Sequence, residues 1–479
     1  MPKPIYKANA VKIIILGAGQ VGSSVAESLV SEANEINVID TDTRRLRQLQ
    51  DRLDLRTVVG NAALPSVLRQ AGAEDTDLLI AVTQSDQTNL CACRTAETLF
   101  KIPTKIARLR SADYSVHPEL LDAKNFAVDF SICPEQIVTD YLLKLIEFPE
   151  ALQVLEFADG MVSLVAARAV AGGPLVGHPV SDLRRHMPEI DARIAAIYRR
   201  DQPIMPTGET LIEAGDEVFY LAATRDIRQV MTELRRRDQP TRRLMIAGGG
   251  NIGSRLAEVA QDRYQVKVIE ANETRARDLG SALNSALVLC GDATDETLLS
   301  AENIDDMDFF LALTNDDENN IMAALLAKNL GARRVLALIN RRAYADLLQA
   351  DRIDIAISPA QVSIGSLLAH VRRGDVAAVH SLRRGAAEAL EFVVHGDAST
   401  SKVIGRHIHE LDLPRGASIG AIVRGVSQDT PGASLRLGQV LIAHGDTLIE
   451  AEDHVILFLA SKDLVPKIER YFQVGLAFF

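Results

Sequence analysis

The chain writes one glycine-rich turn twice. Residues 12–22 read KIIILGAGQVG and residues 244–253 read LMIAGGGNIG, each turn following a run of aliphatics. Gly17 recurs as Gly248, Gly60 as Gly291 and Thr83 as Thr314, every time 231 positions on. The spacing is still 230 between Tyr114 and Tyr344 and has fallen to 225 by Pro134 and Pro359. The first half therefore carries about five extra residues in the loop RSADYSVHPEL, and the register holds on both sides of it. A register kept across a local insertion indicates duplication, so whatever one half folds into, the other must fold into as well. At 479 residues the chain also exceeds a single ordinary core.

Within each half, apolar bursts of strand length alternate with segments of helical spacing. In the first half the bursts are 12–16, 36–40, 56–60, 77–82, 105–109 and 127–132, with helical patterns such as Val21–Ala33 and Thr88–Phe100 between them. Six such strands alternating with helices predict an α/β fold, a doubly wound, Rossmann-like parallel sheet with helices on both faces. Their continuous aliphatic character suits strands covered on both sides.

After Pro134 a helix, EQIVTDYLLKLIEF, leads away, and its counterpart after Pro359 is AQVSIGSLLAHVRRG. From about residue 150 the texture turns to short strands and tight turns. GETLIEAGDEVFYLA recurs as GDTLIEAEDHVILFLA, with Thr210 matching Thr447 and Glu213 matching Glu450. The predicted order is thus a tandem duplication of a large α/β domain and a small α+β domain. The boundaries are 10–136, 150–235, 242–362 and 385–472, with the seam between halves at 233–243.

Composition narrows the function classes. A net charge of −12 argues against nucleic acid, since duplex binding needs a basic face to displace counterions. Aromatics are only 4% with no Trp, which leaves little for stacking on unpaired bases. The short basic cluster Arg235, Arg236 and Arg237 reads as a solvated helix end. No apolar run approaches the roughly 20 residues of a membrane-spanning helix, and the N-terminus lacks the pattern of a secretory signal. The chain is expected to be cytosolic, with any membrane contact made through a partner. Cys91, Cys93, Cys133 and Cys290 have no zinc spacing and are expected to be reduced thiols. His407 and His409 lack further ligands at metal-binding spacing, so no metal is expected.

In a strand–turn–helix unit the first glycine permits the tight turn and the second lets a pyrophosphate approach the backbone. The third lets helix and strand pack closely, while the helix N-terminus offers N–H groups and partial positive charge. Gly17, Gly19 and Gly22 fill these places in the first half, and Gly248, Gly250 and Gly253 in the second. An acid at the end of the next strand can accept hydrogen bonds from ribose hydroxyls. Asp40 and Glu270 stand there, disfavouring a 2′-phosphate and hence NADP, but not separating NAD from ATP or ADP. Further residues follow the C-terminal strand ends, where open α/β sheets bind ligands. Gly60-Asn61-Ala62 matches Gly291-Asp292-Ala293, and TQSDQTN (83–89) matches TNDDENN (314–320). Thr83 and Thr314 could bond the nucleotide or cap the following helix. Arg108 could neutralise a pyrophosphate, but its counterpart is Leu338, so the two sites should differ, with the second the weaker.

A dehydrogenase would need an acid–base residue in a substrate domain. His178 is replaced by Arg406 in the repeat, and no G-x-x-x-x-G-K-[ST] phosphate loop exists for hydrolysis. The chain is therefore expected not to be an enzyme. Fused nucleotide domains suit a regulatory protein in which ligand favours one arrangement of modules and passes work to a partner.

The register IIILGAGQVGSSVAESL…INVID…VVGNAALPSVLRQAG…DLLIAVTQSDQTNLCA, with a β-rich module after each half, resembles the RCK/KTN family over nearly the whole chain. The resemblance implies alternating RCK N-lobes and C-lobes. It also implies a peripheral protein on the cytoplasmic face of the inner membrane, gating a TrkH/TrkG-type membrane potassium transporter according to bound nucleotide. NAD(H) would be the cofactor, with ATP or ADP as alternatives, and duplicated subunits would form a homo-oligomeric ring. Carried over by motif, the first site comprises Gly17, Ala18, Gly19, Gln20, Val21, Asp40, Asn61, Thr83, Gln84 and Arg108. The second comprises Gly248, Gly249, Gly250, Asn251, Ile252, Glu270, Asp292 and Thr314. Asn61, where the family pattern has Asp, and Leu338 depart from it. The rival readings are an NAD-dependent oxidoreductase and a nucleotide-sensing scaffold for a non-transport partner.

Overall fold

The computed structural model describes residues 11–30, 34–111, 113–200, 202–235, 240–341, 344, 352–371, 375–382, 387–425 and 438–473. The first sheet comprises β1 (Lys12–Leu16), β2 (Glu35–Asp40), β3 (Arg56–Val59), β4 (Leu78–Ala81), β5 (Thr104–Arg108) and β6 (Phe130–Ile132). Its order is β3-β2-β1-β4-β5-β6 and every pairing is parallel. Ile13 to Leu16 at its centre are at most 1% exposed, as expected for strands covered on both faces. The strand order reverses between β1 and β4, which opens a crevice at their C-terminal ends. The expected sixth strand, 127–132, is shorter. Ala127 has φ of +55°, and the Val128 N–H bonds back to the Leu121 carbonyl at 2.9 Å, so pairing starts only at Phe130.

A small antiparallel sheet follows, built from β7 (Ala151–Phe157), β8 (Val162–Arg168), β9 (Ala192–Arg199), β10 (Gln202–Ile204) and β11 (Glu217–Ala223) in the order β10-β9-β11-β8-β7. The second half repeats both. Its parallel sheet has β12 (Arg243–Ala247), β13 (Gln265–Glu270), β14 (Leu287–Cys290), β15 (Phe309–Ala312), β16 (Val335–Leu338) and β17 (Ile355–Ile357), ordered β14-β13-β12-β15-β16-β17. Its antiparallel sheet has β18 (Val376–Leu382), β19 (Ala387–Val393), β20 (Ala417–Arg424), β21 (Gln439–Ile442) and β22 (His454–Leu459), ordered β18-β19-β22-β20-β21. The duplication read from glycine spacing is a duplication of topology.

The chain divides into two compact units. One holds the first parallel sheet together with the helix Pro359–Val371, which is encoded after the second sheet. That helix packs on the helix Gln20–Val30, and its His370 ring lies 3.8 Å from the Phe130 ring. The other unit holds both small sheets and the second parallel sheet. Its small sheets share one core in which Phe157, Phe219 and Leu221 of the first meet Leu382, Val423 and Phe458 of the second. A Cβ at Gly420 would stand 2.5 Å from Leu221 Cδ2, so the sheets approach closely enough there that a side chain would have to displace the leucine. Half-buried Arg193 donates to the carbonyls of Ile419 at 3.0 Å and Ala443 at 2.9 Å, and buried Glu391 accepts from the Ala158 N–H at 2.9 Å. Arg334, at the start of β16, stacks its guanidinium 4.8 Å from the Phe309 ring and donates to the carbonyls of Leu145 and Ala151. Burial lowers its pKa to about 10, against the opposing pull of the Glu150 and Asp354 carboxylates.

One difference between the parallel sheets concerns a buried ion pair. Asp129 accepts from the Lys105 N–H at 2.7 Å, and Asp354 accepts from the Val335 N–H at 2.8 Å, the same position in each sheet. In the first half the cation is Lys105 on the strand, 3.0 Å from both Asp129 and Glu97. In the second it is Lys328 on the helix Asp317–Asn329, 2.8 Å from Asp354.

Candidate functional site

Each crevice is organised by the acid that ends the second strand. Asp40 Oδ2 accepts from the Ala18 N–H at 2.6 Å and Oδ1 from the Asp42 N–H at 2.8 Å. Glu270 Oε2 accepts from the Gly249 N–H at 2.9 Å and Oε1 from the Asn272 N–H at 2.8 Å. The carboxylate thus ties the glycine turn to the loop after the strand. Gly17 and Gly248 hold φ of +103° and +106°, and a Cβ on Gly17 would stand 3.1 Å from the Val82 carbonyl oxygen. A Cβ on Gly22 or Gly253 would stand 1.9 Å from the carbonyl oxygen of Gly17 or Gly248. The first and third glycines are therefore demanded by the turn itself. Gly19 and Gly250 are different, with no atom closer than 4.0 Å to their Cβ positions, and they leave the turn open on its outer side.

The strand-four loops are built alike. Thr83 Oγ1 donates to Asn89 Oδ1 at 2.7 Å, and Thr314 Oγ1 to Asn320 Oδ1 at 2.7 Å. The following helices are capped by Ser85 and Asp316, which accept from the N–H groups of Thr88 and Asn319, so neither threonine is the cap. Asn89 and Asn320 are fully buried and donate onward to the carbonyls of Arg108 at 2.9 Å and Leu338 at 2.8 Å. Asp86 accepts from the N–H groups of Arg110 and Ser111, and Asp317 from those of Asn340 and Arg341. These asparagines and aspartates join the fourth and fifth strand ends at both crevices. Sequence reasoning singled out their loops but not their roles, although the repeat SDQTN/DDENN carries the signal.

The two departures from the motif take on definite shape. Asn61 Oδ1 accepts from the Ala63 N–H at 2.9 Å, and Asp292 Oδ1 from the Thr294 N–H at 2.8 Å. Both side chains close the same turn, so Asn61 keeps the geometry and gives up only the charge. The Thr294 N–H and hydroxyl hold the Asp292 carboxyl below the usual carboxylate range. Arg108 Nη2 donates to Glu135 Oε1 at 2.7 Å, while its Nε is buried without a partner. Leu338 is 3% exposed and packs in the core, and the residue matching Glu135 is Ala360. Gln84 is exposed at the rim, and Gln20, Val21, Asn251 and Ile252 form the first turns of the helices that follow the glycines.

Other candidates stand apart from the crevices. His407 and His409 lie ring against ring at 5.6 Å, each Nδ1–H facing a carbonyl, of Asp446 and Gly445. Arg235 pairs with Glu150, while Arg236 and Arg237 lie outside the described residues. Cys93 is buried and Cys91 and Cys290 are exposed. Among the described residues no helix is long and apolar enough to cross a membrane.

The family model for the TrkA-N domain matches residues 13–128 and 244–359, and that for the TrkA-C domain matches 164–235 and 397–473. The Trk system potassium uptake protein TrkA of Halomonas elongata is 56% identical over 469 residues, spanning 98% of this chain and all of that protein. The chain belongs to the TrkA family. The TrkA of Vibrio alginolyticus is 54% identical over 97% of this chain and 99% of its own length, so the likeness runs through both halves of the TrkA repeat. Among solved structures, the GsuK RCK domain matches with a TM-score of 0.60 and 20% identity, covering 98% of this chain and 96% of that one. The GsuK channel bound to NAD matches at 0.59 and 19%, covering 98% and 80%. At that identity the likeness concerns fold, and the fold is that of tandem RCK domains.

Proposed function

We propose that this TrkA-family chain is a regulatory subunit of a potassium uptake system and not an enzyme. It holds an adenine nucleotide, NAD(H) or ATP/ADP, in each crevice and passes its occupancy to a TrkH/TrkG-type membrane transporter. The carrying observation is the clamp from Asp40 to the Ala18 N–H, repeated from Glu270 to the Gly249 N–H. Each carboxylate sits where a ribose diol would be gripped, beside a turn whose outer side is open for phosphate. The buried, unpartnered Nε of Arg108 supports an anionic ligand in the first crevice.

The contacting residues are those named from the motif, from Gly17 to Gly22 with Asp40, Asn61, Thr83, Gln84 and Arg108, and from Gly248 to Gly253 with Glu270, Asp292 and Thr314. They lie in the first and third of four modules, 10–136, 150–235, 242–362 and 385–472. Duplicated subunits assemble as a ring on the cytoplasmic face of the membrane, and ligand biases the placement of modules through its differential affinity.

Calorimetric titration with NADH, NAD, ATP and ADP tests this reading. Asp40→Ala weakens binding by about 1–3 kcal/mol, the loss of a charge-assisted hydrogen bond, and unchanged curves would remove Asp40 from the site. Consumption of NADH on turnover would point to an oxidoreductase. Nucleotide binding without copurification of a potassium transporter would point to a scaffold.

A further inference from the structure

The two crevices are built alike but carry different charge. The loop after the third strand closes the same side-chain turn in both, through Asn61 in the first half and Asp292 in the second. The helix after the fourth strand has the same cap, made by Ser85 in the first and by Asp316 in the second. Each exchange keeps a hydrogen bond and adds a negative charge. Asp292 and Asp316 are both exposed, and among the described residues no salt bridge reaches either. Glu318, in the place of Gln87, is different, because Arg341 answers it at 2.8 Å.

At the fifth strand the second half loses a cation. Arg108 and its partner Glu135 give way to Leu338 and Ala360, which leaves the net charge alone but removes a guanidinium. The Arg108 side chain is 12% exposed and its Nε is buried without a partner, a donor that an anion can satisfy. These residues all follow the C-terminal ends of the third, fourth and fifth strands, so each set borders the mouth of its own crevice. In a cleft, charge acts without contact, over a Debye length of roughly 8–10 Å.

We propose that Asp292 and Asp316 make the second crevice discriminate against nucleotides with a free terminal phosphate and favour the dinucleotide. The first crevice, with Asn61, Ser85 and Arg108 in those places, accepts ATP and ADP. The inference rests on the nucleotide reading above. A terminal phosphate carries about two negative charges at pH 7, whereas the phosphates of NADH are internal and lack the second ionisation. One chain then reads two signals, phosphorylation state at the first crevice and the dinucleotide pool at the second.

Hydrogen-exchange mass spectrometry of the full chain, titrated with ATP, ADP or NADH in metal-free buffer, tests this. Protection of residues 83–89 reports the first crevice and protection of 314–320 the second. The preference for ATP over NADH is expected to be about tenfold or more greater at the first loop than at the second, and to narrow as salt is raised. Asp292→Asn combined with Asp316→Ser lowers the ATP half-saturation at 314–320 about fivefold or more, and moves that of NADH less than about twofold. Asn61→Asp combined with Ser85→Asp does the reverse at 83–89. Each new residue is the one its copy already uses for the same hydrogen bond, and thermal unfolding checks that the fold persists. An equal ATP-to-NADH preference at both loops would overturn the inference and leave the nucleotide reading intact. So would a difference that salt does not narrow, or exchanged variants that melt like wild type with their preference unmoved. Absence of protection at both loops by every nucleotide would overturn both.

Discussion

Arg199 grips Asp216 with two hydrogen bonds, Nε to Oδ1 at 2.9 Å and Nη2 to Oδ2 at 2.8 Å, inside the first small sheet. Asp216 is 1% exposed, and Arg199 also reaches Glu213 and the Leu211 carbonyl. Arg424 repeats every contact, with Asp453, Glu450 and the Leu448 carbonyl. The fork of guanidinium to carboxylate joins the end of β9 to the turn before β11, and the end of β20 to the turn before β22. Removing one partner leaves a buried charge uncompensated. Arg199→Met, which strips the counter-charge from buried Asp216, is expected to destabilise the small-sheet pair by about 3 kcal/mol in urea unfolding, and Arg424→Met, facing buried Asp453, to do the same.

At the crevices, the asparagines behind the strand-four loop should matter as much as the motif residues. Asn89→Ala leaves the Thr83 N–H and hydroxyl and the Arg108 carbonyl short of partners, costing about 1–3 kcal/mol. Hydrogen exchange over residues 83–89 should rise and nucleotide binding at the first crevice should weaken. Asn320→Ala should do this at the second crevice alone.

Gly22→Ala places a methyl against the Gly17 carbonyl, a backbone atom that can yield only if the turn opens. The expected result is a loss of at least about 2 kcal/mol in stability, as for other overpacked sites, with loss of nucleotide binding at that crevice. Gly19→Ala, with nothing pressing on its Cβ position, should fold normally by thermal melting.

Burial pushes the Cys93 thiol up to about 12 from an ordinary 9.0. A disulfide reagent at pH 8 should therefore label the exposed Cys91 and Cys290 quickly and Cys93 only after denaturation. Between pH 9 and 12 the unfolded chain gives up this proton while the folded chain keeps it, so Cys93 makes stability fall as pH rises through that window. Below pH 9 both states hold the proton and the effect vanishes. Cys93→Ala should flatten the alkaline slope.

Much of this architecture is legible in the sequence itself. Glycine spacing, aliphatic bursts and the acid after strand two placed the sheets, the crevices and the clamp residues, because each reports a local rule of backbone geometry or strand burial. What stayed hidden depends on neighbours far apart in sequence. Thr83 reads equally well as cap or ligand until Asn89 is seen to hold it. Leu338 reads as a lost cation, yet Arg108 is already paired with Glu135, whose own counterpart is Ala360. The grouping of the helix Pro359–Val371 with the first sheet follows from packing that no periodicity reports.

Asp129 and Asp354 show how far the copies have drifted. The same carboxylate is neutralised from the neighbouring strand β5 in one half and from a helix in the other. Grafting β5 in place of β16 would set Lys105 beside Lys328, two ammonium groups contending for a single acid. The reverse graft would leave Asp129 and Glu97 with no ammonium between them. The halves are no longer interchangeable parts, and a working chimera would have to exchange strand and helix together.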